Sequence, residues 1–455
     1  MWRTIFLCCV TLSLAAPFED LVKSLPQIGK ITGYEMYSGY LDIPNSNGKE
    51  LHYVLVTSQN NPQTDPVILW LNGGPGCSSM DGLFYEHGPY VFPANSTQLI
   101  KNQWSWNTNA SVIYLESPAG VGFSILGNAS NKTNDVMTAH DNLQALISFY
   151  KKFPELVDNE LYITGESYAG IFVPTFAYNV LLYNEYASDT KINLQGIAVG
   201  NGCTDWKVDT TPAFMQEAWT HSLIWWEYYE KLMENCDSME NYNSQSCANV
   251  VNDIQNNLLV NLNIYDIYGK CYFHGSNQEF LDNQMRLKFL TEPDHKGGVV
   301  PPCATWKGAY AYLRNASVIE ALHVEKAPNA WALCTNKLDY RINYEKGSIW
   351  VYPYLMNSGI RILIYSGDVD GAVPTVGTRE WINNLRKQGI ISIKQHYSQW
   401  HYDPTLADKQ VAGWHEDYDR LTFVTVRGAG HMVPQDKPDI AHKMIYTFIN
   451  NESFS

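Results

Sequence analysis

The chain has 455 residues, of which 45% are hydrophobic and 17% charged, and it contains 14 Trp and 30 Tyr. This composition argues against a disordered chain. The length exceeds that of one average domain and suits a large α/β sheet with an inserted subdomain. The formal net charge of −15 argues against nucleic acid or an anionic membrane as a partner, because both bind basic surfaces.

The first residues have the pattern of a secretory signal peptide. Arg3 precedes an apolar run over 5–14, and Ser13-Leu14-Ala15 forms a small-x-small cleavage site. A membrane-spanning helix needs about 20 apolar residues, so this run is too short, and no later segment is longer. We therefore expect residues 1–15 to be removed and the mature protein to be soluble, in a lumen of the secretory pathway or outside the cell.

Six apolar, β-rich runs each end in a polar or glycine-rich turn, at 67–71, 111–115, 161–164, 194–199, 360–366 and 421–426. Runs this apolar are buried on both faces, which predicts mostly parallel strands with helices on each side. Ligands bind at the carboxyl edge of such a sheet, where these turns would meet.

Helical patterns lie between and after these runs. Apolar residues spaced by threes and fours predict a helix over 134–152 with Val136 on its apolar face, and a second helix is expected to start near Ala169. No further apolar, strand-like run occurs over 205–300, and we interpret this stretch as an insertion above the sheet edge. The stretch 304–325 has a helical pattern. The basic, polar stretch 285–298 is expected to be an exposed loop.

The cysteines and glycosylation sequons fit an oxidising compartment. Without Cys8 and Cys9 of the signal, seven cysteines remain, so at least one is not paired within the chain. Sequons that fit the same route are centred on Asn95, Asn109, Asn128, Asn131, Asn315 and Asn451.

The predicted nucleophile is Ser167, in Gly165-Glu166-Ser167-Tyr168-Ala169. A serine needs a base, a carboxylate that orients the base, and N–H donors for the oxyanion. Ser167 follows a predicted strand and precedes a predicted helix, which is the setting of a nucleophile elbow. Ala169 replaces the second glycine of the usual G-x-S-x-G pattern, and it is small enough for the turn.

The base and the acid follow the last two strands. His431 lies between glycines after the 421–426 run, and the order Ser, Asp, His is that of α/β-hydrolases. Asp370 and Asp368 both follow the 360–366 run; we favour Asp370 as the acid, with Asp368 as a capping residue and the alternative.

A glycine-rich loop, Asn72-Gly73-Gly74-Pro75-Gly76, follows the first run and can bring the N–H of Gly74 beside that of Tyr168 to form an oxyanion hole. As a purely structural feature it would be only a tight turn. Neither H-E-x-x-H nor a complete P-loop is present, so we expect no metal and no cofactor.

Five blocks in order, LNGGPGCSSMDGLFYEHGP, ESPAGVGFS, LYITGESYAG, GDVDGAVP and RGAGHMVPQDKP, resemble the signatures of serine carboxypeptidases, and of their cathepsin A-like branch in particular. The similarity covers nearly the whole mature chain. It implies an α/β-hydrolase that releases C-terminal residues from peptides through an acyl-enzyme. It also implies the triad Ser167, Asp370 and His431 and the oxyanion donors Gly74 and Tyr168.

By the same resemblance, Asn72, Glu86 and Glu166 bind the terminal carboxylate of the substrate. Two glutamates can do this only if they hold protons, so peptide hydrolysis should be favoured at acid pH. The core would be 16–204 with 301–455 and the cap 205–300, and 285–298 is similar to a segment that is cut during maturation.

The resemblance pairs Cys77 with Cys334. Proximity along the chain pairs Cys236 with Cys247 and Cys271 with Cys303, which leaves Cys203 free.

Two rival functions stay open. Similar scaffolds include acyltransferases and hydroxynitrile lyases, but related plant acyltransferases often have Asp where this chain has Glu166, which favours a peptidase. Cathepsin A-like proteins also protect partner glycosidases, so a homodimer or partner-enzyme binding is a second possibility beside catalysis.

Overall fold

The computed structural model describes residues 16–187, 191–209, 211–236, 244–272, 303, 306–344, 346–402 and 410–454. Its centre is a ten-stranded sheet. In chain order the strands are β1 (Met36–Asp42), β2 (Glu50–Val56), β3 (Val67–Leu71), β4 (Ser111–Leu115), β5 (Leu161–Glu166), β6 (Leu194–Gly200), β7 (Arg361–Gly367), β8 (Ile393–His401), β9 (Val411–Tyr418) and β10 (Leu421–Val426). Their spatial order is β8-β9-β10-β7-β6-β5-β3-β4-β2-β1.

The six strands in the middle of the sheet, from β10 to β4, are all parallel. They coincide with the six apolar runs, so that prediction is confirmed. The antiparallel strands β1, β2, β8 and β9 extend both edges. Their side chains mix polar with apolar residues, as in the exposed pattern of β8, which is why the search for continuous apolar runs did not find them.

Helices cover both faces. On β3, Val67, Leu69 and Leu71 pack into one hydrophobic cluster, whereas Ile68 and Trp70 pack into the other. The first cluster includes side chains of α1 (Asp135–Lys152), α2 (Ala169–Tyr186), α8 (Tyr352–Asn357) and α9 (Thr375–Lys387). The second includes α6 (Lys307–Leu313), α7 (Ala316–Ala321), α10 (Val433–Asp436) and α11 (Pro438–Ile449). The chain therefore has an α/β-hydrolase fold with a mixed, centrally parallel sheet.

The described part of the 205–300 stretch contains three helices: α3 (Thr211–Thr220), α4 (Trp226–Asn235) and α5 (Gln245–Asn257). Buried side chains of all three, including Phe214, Leu232 and Ile254, form a third hydrophobic cluster separate from the two on the sheet. The predicted segments 1–15 and 285–298 lie outside the described residues.

Two details of the helix predictions are wrong. The 304–325 pattern is two helices, α6 and α7, because Asn315 caps a new helix by accepting the N–H of Ser317 at 2.9 Å. Val136 is 52% exposed and does not lie on the buried face of α1. In the first turn of this helix, Asp135 is buried instead.

The smaller elements are paired segments and single helical turns. Ser24–Leu25 pairs with Gly29–Lys30, Tyr90–Val91 with Ile100–Lys101, and Lys132–Asn134 with Asp339–Arg341. The short helical turns are Phe18–Asp20, Gly82–Glu86, Trp106–Thr108, Pro154–Leu156 and Ile349–Val351.

Three disulfides join Cys77 to Cys334, Cys236 to Cys247 and Cys271 to Cys303, and Cys203 is a buried free thiol. All three pairs agree with those drawn from the sequence. The sequon residues Asn95, Asn109, Asn128, Asn131, Asn315 and Asn451 are exposed. Among the described helices, none is long and apolar enough to span a membrane.

Candidate active site

Ser167 occupies a sharp turn between β5 and α2. Its φ is +62°, in the left-handed region, and α2 begins two residues later. The main chain of Ser167 is held on both sides: its N–H donates to Gly200 O at 3.0 Å, and its carbonyl accepts the N–H of Cys203 at 3.0 Å. This is the strained strand-turn-helix geometry of a nucleophile elbow.

Small residues make this turn possible. A Cβ on Gly165 would lie 2.4 Å from the carbonyl oxygen of Leu71 and 2.7 Å from the Cβ of Ala169. Because position 165 has no side chain, position 169 can carry a methyl group. The departure from the usual glycine at 169 is therefore accommodated.

His431 and Asp370 form a buried pair at the same sheet edge. Nδ1 of His431 lies 2.7 Å from Oδ2 of Asp370. The carboxylate also accepts the N–H groups of Ala372 at 2.7 Å and Val373 at 3.2 Å, which hold it in place. Nε2 of His431 is buried and has no hydrogen-bond partner among the described residues, so it is the ring nitrogen left for a reacting hydroxyl.

Asp368 has a different role in the structure. Its Oδ1 accepts the N–H of Gly428 at 2.6 Å and so links the ends of β7 and β10. Of the two candidates, it is Asp370 whose carboxylate faces the His431 ring.

The segment 264–267, from the inserted stretch, covers the histidine. The ring of Tyr265 packs edge-on against His431, with centroids 4.7 Å apart, and the Tyr265 carbonyl accepts the His431 N–H at 2.6 Å. On the other side, Asp436 accepts the N–H of Gly430 at 2.8 Å. The sequence analysis did not identify Tyr265, because nothing in its local pattern indicates the contact with a residue 166 positions away.

Asn201 is a second residue that the sequence analysis missed. Its Nδ2 donates to Oδ2 of Asp370 at 2.8 Å, while its Oδ1 accepts the N–H of Gly367 at 3.0 Å. It lies in the Gly200-Asn201-Gly202 turn after β6, between the nucleophile strand and the acid strand. A polar residue in a turn at the active edge was the available signal.

The glycine-rich loop crosses directly over the elbow. A Cβ on Gly73 would lie 2.5 Å from the main-chain nitrogen of Tyr168 and 2.9 Å from the Cβ of Ser167. Gly74 has a φ of +116°. Only a chain without side chains there can approach so closely, and this approach brings the backbone of the loop next to the Tyr168 amide.

Glu116 anchors the far end of that loop. Its carboxylate accepts hydrogen bonds from the hydroxyl of Ser78, the indole of Trp331 at 3.1 Å and the N–H of Phe123 at 2.8 Å, and it lies 2.8 Å from Nδ1 of His52. These groups are buried. Glu116 of the Glu-Ser-Pro block thus supports the loop through Ser78.

A buried carboxyl cluster lies beside the nucleophile. Nδ2 of Asn72 donates to Oε1 of Glu86 at 3.1 Å and to Oε1 of Glu166 at 3.0 Å. The amide is oriented because its oxygen accepts the indole N–H of Trp70 at 2.7 Å and the N–H of Gly82 at 3.1 Å. The structure therefore brings together all three residues predicted to bind the carboxylate of the substrate.

Asp81 completes the cluster and was not predicted. One oxygen each of Asp81, Glu86 and Glu166 lies within 4.8 Å of the others, close enough to share protons or a cation. No N–H or hydroxyl group of the described residues donates to Oδ1 of Asp81 or to Oε2 of either glutamate. The sequence signal was its position five residues before Glu86, at the start of the same helical turn.

Burial is the main cause that raises the pKa of each of these carboxyl groups. The pKa of Glu86 rises to about 7, against the lowering effects of Asn72, Glu166 and His431. The pKa of Glu166 rises well above its ordinary value, because the charges of Glu86 and Asp81 add to burial, and that of Asp81 rises through burial and Glu86. The cluster therefore holds protons at acid pH.

The similarity of the chain to known proteins agrees with this geometry. A family model described as serine carboxypeptidase matches residues 26–451. The chain is 35% identical to the lysosomal protective protein of Mus musculus, covering 97% of this chain and 95% of that protein. It is 34% identical to the serine carboxypeptidase ctsa-4.1 of Caenorhabditis elegans, covering 99% and 97%.

The chain belongs to the serine carboxypeptidase family. Among solved structures it resembles Kex1(delta)p, a prohormone-processing carboxypeptidase from Saccharomyces cerevisiae, with a TM-score of 0.72 and 24% identity over 96% of this chain and 95% of that one. At this identity the likeness shows the fold. Membership in the family makes the chain a serine-type exopeptidase.

Proposed function

We propose that the chain is a serine carboxypeptidase that works at acid pH and uses Ser167, His431 and Asp370 as its triad. The supporting geometry is the elbow at Ser167, the 2.7 Å contact of His431 with Asp370, and the glycine loop over the Tyr168 amide. In this mechanism His431 takes the proton of Ser167 as the hydroxyl attacks the scissile carbonyl, and the N–H groups of Gly74 and Tyr168 stabilise the oxyanion. The scissile C–N bond then breaks, and His431 gives its proton to the amine of the departing terminal amino acid. Water, which loses a proton to His431, attacks the acyl-enzyme and releases the shortened peptide, and Ser167 recovers its proton.

The carboxyl cluster is the observation that carries exopeptidase specificity. A carboxylate substrate is repelled by ionised Glu86 and Glu166, but a protonated carboxyl group can donate a hydrogen bond to it. Burial raises the pKa of both glutamates, that of Glu86 to about 7, so both are protonated at acid pH and the pocket then accepts the C-terminus. Glu166 adjoins Ser167 in sequence, so the bond that is cut lies next to the terminal residue.

Hydrolysis of a blocked dipeptide tests this function. We expect purified enzyme to release the terminal amino acid from an N-blocked dipeptide with a free carboxylate near pH 5, and Ser167→Ala to lose the activity while it stays folded. Product analysis by mass spectrometry distinguishes hydrolysis from transfer of the acyl group to an alcohol or amine. Full turnover by folded Ser167→Ala, or transfer products alone, would contradict the proposal.

We further propose that the chain travels through the secretory pathway, as a lysosomal or extracellular protein. Support comes from the signal-like residues 1–15, from the three disulfides and from the exposed sequons. We also propose that 205–300 forms a cap domain and that the chain is cleaved near 285–298. The chain would form a homodimer or bind a partner enzyme. Mass spectrometry and size-exclusion chromatography of secreted enzyme test them, since cleavage leaves two chains joined through Cys271 and Cys303.

A further inference from the structure

Asp135 is a buried carboxylate that the mechanism above does not use. It is the first residue of α1, is 1% exposed, and lies beside the elbow helix α2. Its Oδ1 accepts the hydroxyl groups of Tyr168 at 2.7 Å and Tyr340 at 2.8 Å. Its Oδ2 accepts the N–H groups of Asn343 at 2.6 Å and Tyr344 at 3.3 Å.

The four donors come from two other segments of the chain. Tyr168 belongs to the elbow, whereas Tyr340, Asn343 and Tyr344 follow or belong to the short strand Asp339–Arg341. Burial raises the pKa of Asp135, and the four donated hydrogen bonds oppose this rise. Burying a carboxylate without a cation is costly, and such a site usually persists because its geometry is needed.

Tyr168 connects this site to the chemistry. It directly follows Ser167, and its main-chain N–H is one of the two proposed oxyanion donors. Its ring is fully buried against Phe172, with centroids 5.1 Å apart, and against Tyr340 at 5.8 Å. Burial raises the pKa of Tyr168, so the hydroxyl keeps its proton and donates a hydrogen bond to Asp135.

We infer that Asp135 is a positioning residue for the oxyanion hole. By holding the Tyr168 hydroxyl at 2.7 Å, it fixes the side chain at its far end while the turn of helix fixes the main chain. The Tyr168 peptide then cannot rotate away from the developing oxyanion. An oxyanion donor must be aligned before the reaction to lower the barrier, so the effect of Asp135 is on the transition state and not on substrate binding.

Tyr340 offers a matched control. It donates to the same oxygen of Asp135 over nearly the same distance and is equally buried, but it is remote in sequence from the elbow. Tyr168→Phe and Tyr340→Phe each remove one hydroxyl from the same carboxylate. If Asp135 is merely structural, the two variants lose stability and activity to the same degree.

The experiment measures kcat, KM, melting temperature and inhibitor affinity for Tyr168→Phe, Tyr340→Phe, Asp135→Ala and Asp135→Ala with Tyr168→Phe. A peptide aldehyde, which forms a tetrahedral adduct with the serine, reports on the oxyanion hole, and the free product amino acid reports on ground-state binding. We expect Tyr168→Phe to lower kcat and aldehyde affinity about tenfold, with KM and product affinity unchanged. Tyr340→Phe should keep kcat within about twofold despite a similar fall in melting temperature.

Asp135→Ala, which removes both acceptor oxygens, should lower kcat as much as Tyr168→Phe. The double variant should lower kcat no further, because both changes break the same interaction. Equal kcat losses in Tyr168→Phe and Tyr340→Phe, or additive losses in the double variant, would overturn the inference. The inference rests on the proposed triad, which is tested apart from it by mass spectrometry of the residue that a fluorophosphonate labels. Labelling at a residue other than Ser167 refutes the triad. Labelling at Ser167, together with equal kcat losses in Tyr168→Phe and Tyr340→Phe, refutes only the role of Asp135.

Discussion

Asn201 and His431 contact the same oxygen of Asp370. Nδ2 of Asn201 donates to Oδ2 at 2.8 Å, and Nδ1 of His431 lies 2.7 Å from that atom. The carboxylate is therefore held by a fixed neutral donor and still faces the imidazole. Because Asn201 also accepts the N–H of Gly367, the turn after β6 and the end of β7 are locked together around the acid.

Removal of the Asn201 side chain should slow catalysis. Asn201 has a φ of +42°, which glycine tolerates, so Asn201→Gly deletes the amide without backbone strain. We expect kcat to fall about tenfold, the value of one hydrogen bond to a charged group, with little change in KM. Steady-state kinetics on a blocked dipeptide measure this; an unchanged kcat would show that the turn alone holds Asp370.

The two aspartates after β7 should separate by function. Asp370→Asn should lower kcat on the order of 10⁴-fold, because the amide favours the wrong imidazole tautomer. Asp368→Asn removes the negative charge but keeps an amide oxygen that can accept the Gly428 N–H, so kcat should change less than about tenfold and the melting temperature should change little. A larger kcat loss at Asp368 would reverse the assignment.

The pH profile for peptides should depend on Glu86 and Glu166. Glutamine donates a hydrogen bond at every pH, so Glu86→Gln and Glu166→Gln should move the optimum of kcat/KM upward and lower KM at neutral pH. An amidated peptide, which has no terminal carboxylate, serves as the control and should change little. The shared-proton account is wrong if the two substrates have the same profile in the unmodified enzyme, or if the glutamine variants keep the original peptide profile.

Asp81 should determine the pH at which peptide kcat/KM is lost. Its charge is one cause of the raised pKa of Glu166, so Asp81→Asn should lower that pKa by removing a neighbouring negative charge. The two Glu→Gln variants move the optimum upward. Asp81→Asn should instead move the loss of peptide kcat/KM toward lower pH, because Glu166 then releases its proton at a lower pH. A shift in the opposite direction would show that repulsion between Asp81 and the substrate is the larger effect.

The free energy of unfolding should fall as the pH rises from about 4 to about 8. Burial raises the pKa of Glu86, Glu217 and Asp436 to about 7 and that of Asp209 to about 8. Below about pH 4 both states hold these protons; above it the unfolded chain releases them first and is stabilised. The lowered pKa values of His87 and His442 act in the opposite direction below about pH 6.5.

Melting temperatures between pH 4.5 and 7.5 measure this dependence. The four carboxyl groups should affect the free energy of unfolding more than the two imidazoles, so the melting temperature should fall as the pH rises. Asp209 offers a test remote from the carboxylate pocket, since it accepts the N–H groups of Thr204 and Asp205, both at 2.6 Å. Asp209→Asn removes one titrating group, so its melting temperature should fall less steeply with pH. A melting temperature that rises steadily to pH 7.5 in the unmodified enzyme would contradict the expected sign.

Patterns in the sequence alone predicted the parallel centre of the sheet, the elbow at Ser167 and two of the three disulfides, whereas the Cys77–Cys334 pair came from the family resemblance. Continuous apolar runs can be buried only between two layers, and small residues around a serine between strand and helix permit one tight turn. Family resemblance added roles for Glu86 and Glu166. These features depend on local patterns or on motifs that the chain itself carries.

Tertiary structure decided the rest. Asp368 and Asp370 are equivalent in a pattern two residues apart, and only the direction of each side chain shows which one faces His431. Tyr265, Asn201 and Asp135 act across contacts between residues far apart in the chain, whose partners no local spacing specifies. The raised pKa of Asp81 likewise arises only when folding removes its carboxyl group from water and places it beside Glu86, so its chemistry is a property of burial and not of the residue.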